Sequence, residues 1–194
     1  MSGTSADVRA LLPEAEALGS YLETLLGPEA PPTADGGAGP SGRAVPALLM
    51  EAGGVQVALP QAAIEAVLPW SGRARRPRRG EPPWLLGRMR RAGGTLAVVD
   101  LARVVLPRAR WPVAGAGGRA GFLVRLDGDW ALACARVGDP VLLTDAAVRW
   151  RRPDPVRPWL AGVGRTPPCL VLNPVRLRAW LARGLKESAG MDDA

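Results

Sequence analysis

The residues of this chain that could do chemistry are few, and their types narrow what it can be. There is no histidine among its 194 residues. That removes Ser-His-Asp and Cys-His nucleophiles, imidazole ligands for zinc, copper or iron, and the side chain that changes charge near neutral pH. Two cysteines, Cys134 and Cys169, are too few for a structural zinc site. Each lies in an apolar run, which reads as a buried thiol of a cytosolic protein rather than half of a disulfide. Asp127-Gly128-Asp129 starts like a calcium loop. The further oxygen ligands do not follow, and a tight turn accounts for it. The serines fall in loops, tails or the N-terminal extension, and Lys186 sits near the end of the last helical segment. No nucleophile, base and oxyanion donor come together. A non-enzyme is expected, with no cofactor, no metal and no small-molecule substrate.

The other chemistry on offer is charge. Ser71 to Glu81 carries Arg73, Arg75, Arg76, Arg78 and Arg79 between Trp70 and Trp84, with Arg88, Arg90 and Arg91 close behind. Arginine interleaved with aromatics on a small barrel can hold a single strand of nucleic acid, with affinity that falls as salt rises. A solvated loop is the plainer reading, so nucleic acid is not the expected partner. Residues 1–42 hold Arg9 against Asp7, Glu14, Glu16, Glu23, Glu29 and Asp35, a net of −5. Residues 43–183 hold a net of +14, and 184–194 a net of −2. A basic body thus lies between two acidic ends.

These residues must be positioned by elements that the pattern predicts. Leu18, Tyr21, Leu22 and Leu25 fall on one face of a short helix within an acidic extension, 1–26. A Gly/Pro-rich linker follows over 27–45, with a reach of about 25 Å. Such a tethered helix either docks on its own body or binds a partner. The body, 46–184, reads as mostly strand. Gly53-Gly54 and Asp127-Gly128-Asp129 each separate two apolar runs, a hairpin signal. Asp100 and Asn173 precede short helical runs as N-caps, and Pro174 takes the first helical position. Gly184 reads as the stop of the last helix, leaving 185–194 as a tail.

The body repeats itself. Pro83-Trp84-Leu85-Leu86-Gly87 recurs 75 residues later as Pro158-Trp159-Leu160-Ala161-Gly162. The strand ending in Asp100 recurs as the one ending in Asn173, and the first hairpin recurs as the second. A unit of this size buries too little surface to be stable alone, so two units should share a hydrophobic interface. Trp84 and Trp159 are then core or seam residues.

The run Gly87-Arg88-Met89-Arg90-Arg91-Ala92-Gly93-Gly94-Thr95-Leu96-Ala97-Val98-Val99-Asp100-Leu101 resembles the signature of the CheW family, with Gly87, Gly93, Val98, Asp100 and Leu101 in register. Leu48–Leu68, Gly121–Leu142 and Trp159–Leu177 follow in the family's order. The resemblance implies an all-β fold of two pseudo-repeated five-stranded barrels, about 46–107 and 119–184, with a C-terminal helix. It implies a cytoplasmic adaptor that joins the regulatory domain of the histidine kinase CheA to methyl-accepting chemoreceptors in polar arrays. By motif transfer, Ile64, Ala66, Arg90, Ala92 and Gly93 lie near the receptor-facing site. The family's glutamate and arginine, which can pair there, fall on Ala66 and Ala92. Losing both strands no lone charge, but it removes the pair. The long N-terminal extension is similar to that of ParP-type relatives, whose CheW-like domain also serves a polar localisation protein.

Overall fold

The computed structural model describes residues 44–91, 94–111 and 120–189. The helix expected around Leu18, Tyr21, Leu22 and Leu25 lies outside them, as does nearly all of the linker. Among the described residues, eleven strands and two α-helices follow in chain order. The first hairpin is β1 (Val45–Ala52) and β2 (Val55–Pro60). Gly53 and Gly54 turn it at φ 60° and 81°, the left-handed pair that a two-residue hairpin loop requires. Next come β3 (Ile64–Pro69), β4 (Leu85–Arg91) and β5 (Gly94–Asp100), then the one-turn α1 (Leu101–Val105). The second half repeats the order with one strand added, β9: β6 (Phe122–Leu126), β7 (Trp130–Cys134), β8 (Arg136–Leu143), β9 (Val148–Trp150), β10 (Leu160–Arg165), β11 (Pro168–Leu172) and α2 (Pro174–Ala189).

The strands form two sheets, ordered β8-β1-β2-β11-β10-β9 and β3-β6-β7-β5-β4. Neither is a closed barrel, which corrects the expectation of two. The outer side of β10 is taken by β9, and the outer side of β4 by an Arg75–Arg88 bridge, where a closing strand would have to pair. Nor does each sheet follow one contiguous half of the sequence. The β1–β2 hairpin sits inside the sheet built from β8–β11, and the β6–β7 hairpin inside the sheet built from β3–β5. Each half lends its hairpin to the other. Strand for strand, β3, β6, β7, β5 and β4 occupy the places of β8, β1, β2, β11 and β10.

Each sheet has its own apolar cluster, and the two clusters are built from repeated positions. Leu96, Val98, Leu123, Ala131 and Ala133 pack with Trp70, Ala74, Leu86 and Met89 on one sheet. Ala47, Ala58, Leu143, Val148, Cys169 and Val171 pack with Leu49, Val141 and Ala161 on the other. Strand alternation turns Val57, Leu59, Leu132 and Leu170 to the opposite faces, where they are fully buried too. The two sheets meet at β1 and β7, and the Ala135 amide donates to the Glu51 carbonyl at 2.8 Å.

The helices tie one sheet to the hairpin turn of the other. The Asp100 carboxylate accepts from the Ala102 and Arg103 amides at 3.1 and 3.4 Å, and α1 then runs to the β1–β2 turn, where Gly53 leaves room for Leu106. Asn173 accepts from the Arg176 amide at 3.0 Å, and Arg178 of α2 reaches Asp127 in the β6–β7 turn at 2.9 Å. Leu177 and Leu181 are fully buried under α2. This helix does not stop at Gly184. The missing Cβ there lets Trp84 approach, since a Cβ would lie 3.0 Å from its ring. Gly184 is a packing residue, and the helix runs through the first part of the expected tail to Ala189.

Candidate docking surface

Both cysteines are buried and unpaired. Burial pushes the Cys134 thiol up to about 12. Burial also raises the Cys169 thiol, against a smaller opposing effect of the Gly164 backbone. Thiols held protonated in this way are poor nucleophiles and poor metal ligands. Asp127 and Asp129 are spent on ion pairs, with Arg178 and with Arg91 at 3.5 Å. Among the described residues, four of the large apolar side chains that stand exposed lie on rim strands, Val67 and Leu68 on β3, Leu142 on β8 and Trp150 on β9.

Strand β3 is the rim of one sheet. It pairs with β6 on one side only, through a bulge between Ile64 and Ala66. Ile64 and Ala66 are half-buried, while Val67 and Leu68, the next two residues, are 41% and 42% exposed. A rim with open backbone groups and large apolar side chains is a surface on which another chain can add. Strand β8, its counterpart in the other sheet, also bulges, and its Leu142 is 64% exposed.

The residues singled out by motif transfer are not joined by strand pairing. Ile64 and Ala66 lie on β3, whereas Arg90 is exposed on β4, at the opposite end of the strand order. Ala92 and Gly93 lie outside the described residues. Sequence reasoning missed the charges around them. Glu65, carried on the β3 bulge, forms an ion pair with Arg125 of β6, directly beside Ala66. It also missed Val67 and Leu68, because nothing in the local pattern Ile64–Pro69 says that the strand lies at a rim.

The arginine-rich loop is less free than its composition suggests. Arg75 and Arg88 exchange backbone hydrogen bonds at 2.8 and 3.0 Å. Glu81 accepts from the Arg78 amide at 2.6 Å and from the Arg88 guanidinium at 2.5 Å. Burial alone would raise the Glu81 carboxyl, but these hydrogen bonds and the two positive charges outweigh it and hold the carboxyl below its ordinary range.

Two mixed sheets related by an internal repeat, each with an exposed rim strand, define the CheW-like fold. The solved scaffolding protein TtCheW from Thermoanaerobacter tengcongensis is similar to this chain with a TM-score of 0.53 and 11% sequence identity, over 68% of this chain and 90% of that one. No family model and no curated protein matches the sequence. Among the described residues, no helix is long and apolar enough to cross a membrane.

Proposed function

We propose that the chain is a non-enzymatic CheW-like adaptor of bacterial chemotaxis, working in the cytoplasm at receptor arrays. The observation that carries this is the correspondence of fold over nine tenths of a scaffolding protein. The rim strands support it, because they offer apolar side chains and unpaired backbone without any catalytic constellation beside them. In this reading β3 docks a partner along its edge through Val67 and Leu68, which point to opposite faces of the sheet, with Ile64 and Ala66 farther along the strand and the Glu65–Arg125 pair next to Ala66. The partners are the CheA regulatory domain and methyl-accepting chemoreceptors. The face formed by Leu18, Tyr21, Leu22 and Leu25 is left for a polar localisation protein, as in ParP-type relatives.

The test is direct binding of the full chain to the CheA regulatory domain of its own organism. Saturable binding at low micromolar protein is expected, and a Val67→Asp, Leu68→Asp variant should lose it by more than about tenfold, the cost of burying unpaired charge in an interface core. Absence of binding by the unmodified chain removes the reading. Unchanged binding by the variant moves the interface away from β3.

A further inference from the structure

Beside β4 lies an open cleft of about 290 Å³ lined by Arg75, Arg76, Arg78, Glu81 and Arg88. It is part of the fold rather than a gap in a loose loop. The Arg75 peptide is paired to Arg88 on both sides. It passes so close to Gly87 that a Cβ there would lie 2.2 Å from the Arg75 carbonyl oxygen, so only glycine lets the loop dock. Glu81 then aims the Arg88 guanidinium and neutralises it. Three cations are left over. Among the described residues, Arg75, Arg76 and Arg78 form no ion pair of their own. The equivalent loop of the other half differs, since its Arg151 is matched by Asp154 at 4.0 Å.

We infer that this cleft binds a compact phosphate-bearing anion. Four arginines lining one small cleft, with one carboxylate among them, match the multiple oxygens and charge of a phosphoryl group, each guanidinium fork able to donate two hydrogen bonds. An isolated carboxylate would satisfy only one of the three. A long nucleic-acid strand would also need aromatic rings on which its bases stack, and among the described residues none lines the cleft. The proposal does not rest on the adaptor reading, and either can fail without the other.

The experiment is calorimetric titration of the full chain with inorganic pyrophosphate, with sulfate and oligothymidylates of two lengths as comparisons. One pyrophosphate per chain is expected, at least about tenfold tighter than sulfate. Arg76→Gln, Arg78→Gln should weaken binding by about tenfold or more, since each lost charge-assisted contact is on the order of one decade. Arg73→Gln, Arg79→Gln changes the same loop by the same charge but touches no wall of the cleft, and should weaken it by less than about threefold. Equal weakening in both variants, sulfate binding as tightly as pyrophosphate, or no saturable binding would overturn the site. So would oligothymidylate affinity that exceeds that of pyrophosphate and climbs with length. Matching thermal melts show that the variants remain folded.

Discussion

On the outer side of β10, Val148–Trp150 forms a true strand, and Val148 is buried among Leu143, Cys169 and Val171. On the equivalent side of β4, the chain makes a single bridge at Arg75–Arg88, with Ala74 in the place of Val148. The two regions start from one plan, and among the residues in which they differ is the one that faces the apolar cluster, Val148 in one and Ala74 in the other. Two further buried carbons on valine are worth about 1.5 kcal/mol of anchoring. With them the segment zips along its neighbour. With alanine in that place the segment pairs at one point, beside a cleft that Arg75, Arg76, Arg78 and Arg88 line.

The exchange of hairpins is the sharpest claim about how the two halves relate, and breaking it has the largest expected effect. Residues 1–111 alone lack β6 and β7, which sit between β3 and β5. Residues 112–194 alone lack β1 and β2, which sit between β8 and β11. Each half, produced separately, should show no cooperative thermal transition, because it has lost the middle of its sheet rather than an edge. Produced together, the halves should restore strand circular dichroism and a single melt. A half that melts cooperatively by itself would mean that the sheets can assemble from contiguous sequence.

The paired tryptophans come next. Trp84 and Trp159 are both buried, and their carbonyls accept from the Asp100 and Asn173 amides at 2.8 Å in each case. Replacement by alanine should cost about 3–5 kcal/mol at either position. The larger loss is expected at Trp84, whose ring also meets Trp130 and Trp180 at 6.3 and 5.7 Å between centroids, while among the described residues no such ring partner accompanies Trp159. Urea unfolding of the two variants measures the difference, and equal losses would show that the Trp84 cluster adds nothing beyond burial.

A smaller effect separates the helices. Gly184→Leu should destabilise by about 1–3 kcal/mol, because the added side chain is driven into the Trp84 ring. Gly184→Ala sets the helix preference for alanine, about 1 kcal/mol, against a tight contact, and should be close to neutral. If the leucine variant is as stable as the original, Gly184 is not the residue that seats α2.

How much of this is legible in the sequence can be judged from particular residues. Gly53-Gly54 and Asp127-Gly128-Asp129 mark both hairpins because the turns impose backbone angles that few residues satisfy. The repeat at 75 residues shows which strands are equivalent. It is silent on which copy of a hairpin enters which sheet, because both copies present the same alternation to a neighbour. Gly184 looks like a helix stop because its packing partner, Trp84, is 100 positions away. At the candidate site, Ile64 and Ala66 can be placed on a strand from local pattern. The bulge that sets Glu65 against Arg125 cannot be, since a bulge breaks the alternation on which such a reading depends.

The smallest effect is the most specific to the comparison, because nature has placed two different residues in one cap. Asp100 and Asn173 hold equivalent positions, and each accepts from amides of the helix that follows. Either replaced by alanine should cost about 1 kcal/mol. Replacing one by the other keeps an acceptor and changes only the charge. Burial raises the Asp100 carboxyl above 3.8, and the opposing pull of Arg103 and the Ala102 amide does not cancel it. The sign follows from linkage. A carboxyl whose folded pKa lies above its unfolded one takes up its proton more readily when folded, so ionisation costs stability as pH rises through that range. Asp100→Asn removes that cost but also the Arg103 ion pair at 3.3 Å. Its stability relative to the original should therefore improve as pH rises from about 3 to 6, by less than about 1 kcal/mol. Thermal melts of both proteins across that range give the answer. A difference that is flat with pH, or that falls as pH rises, would mean that Arg103 offsets the burial of the charge, and that the aspartate is the better cap of the two.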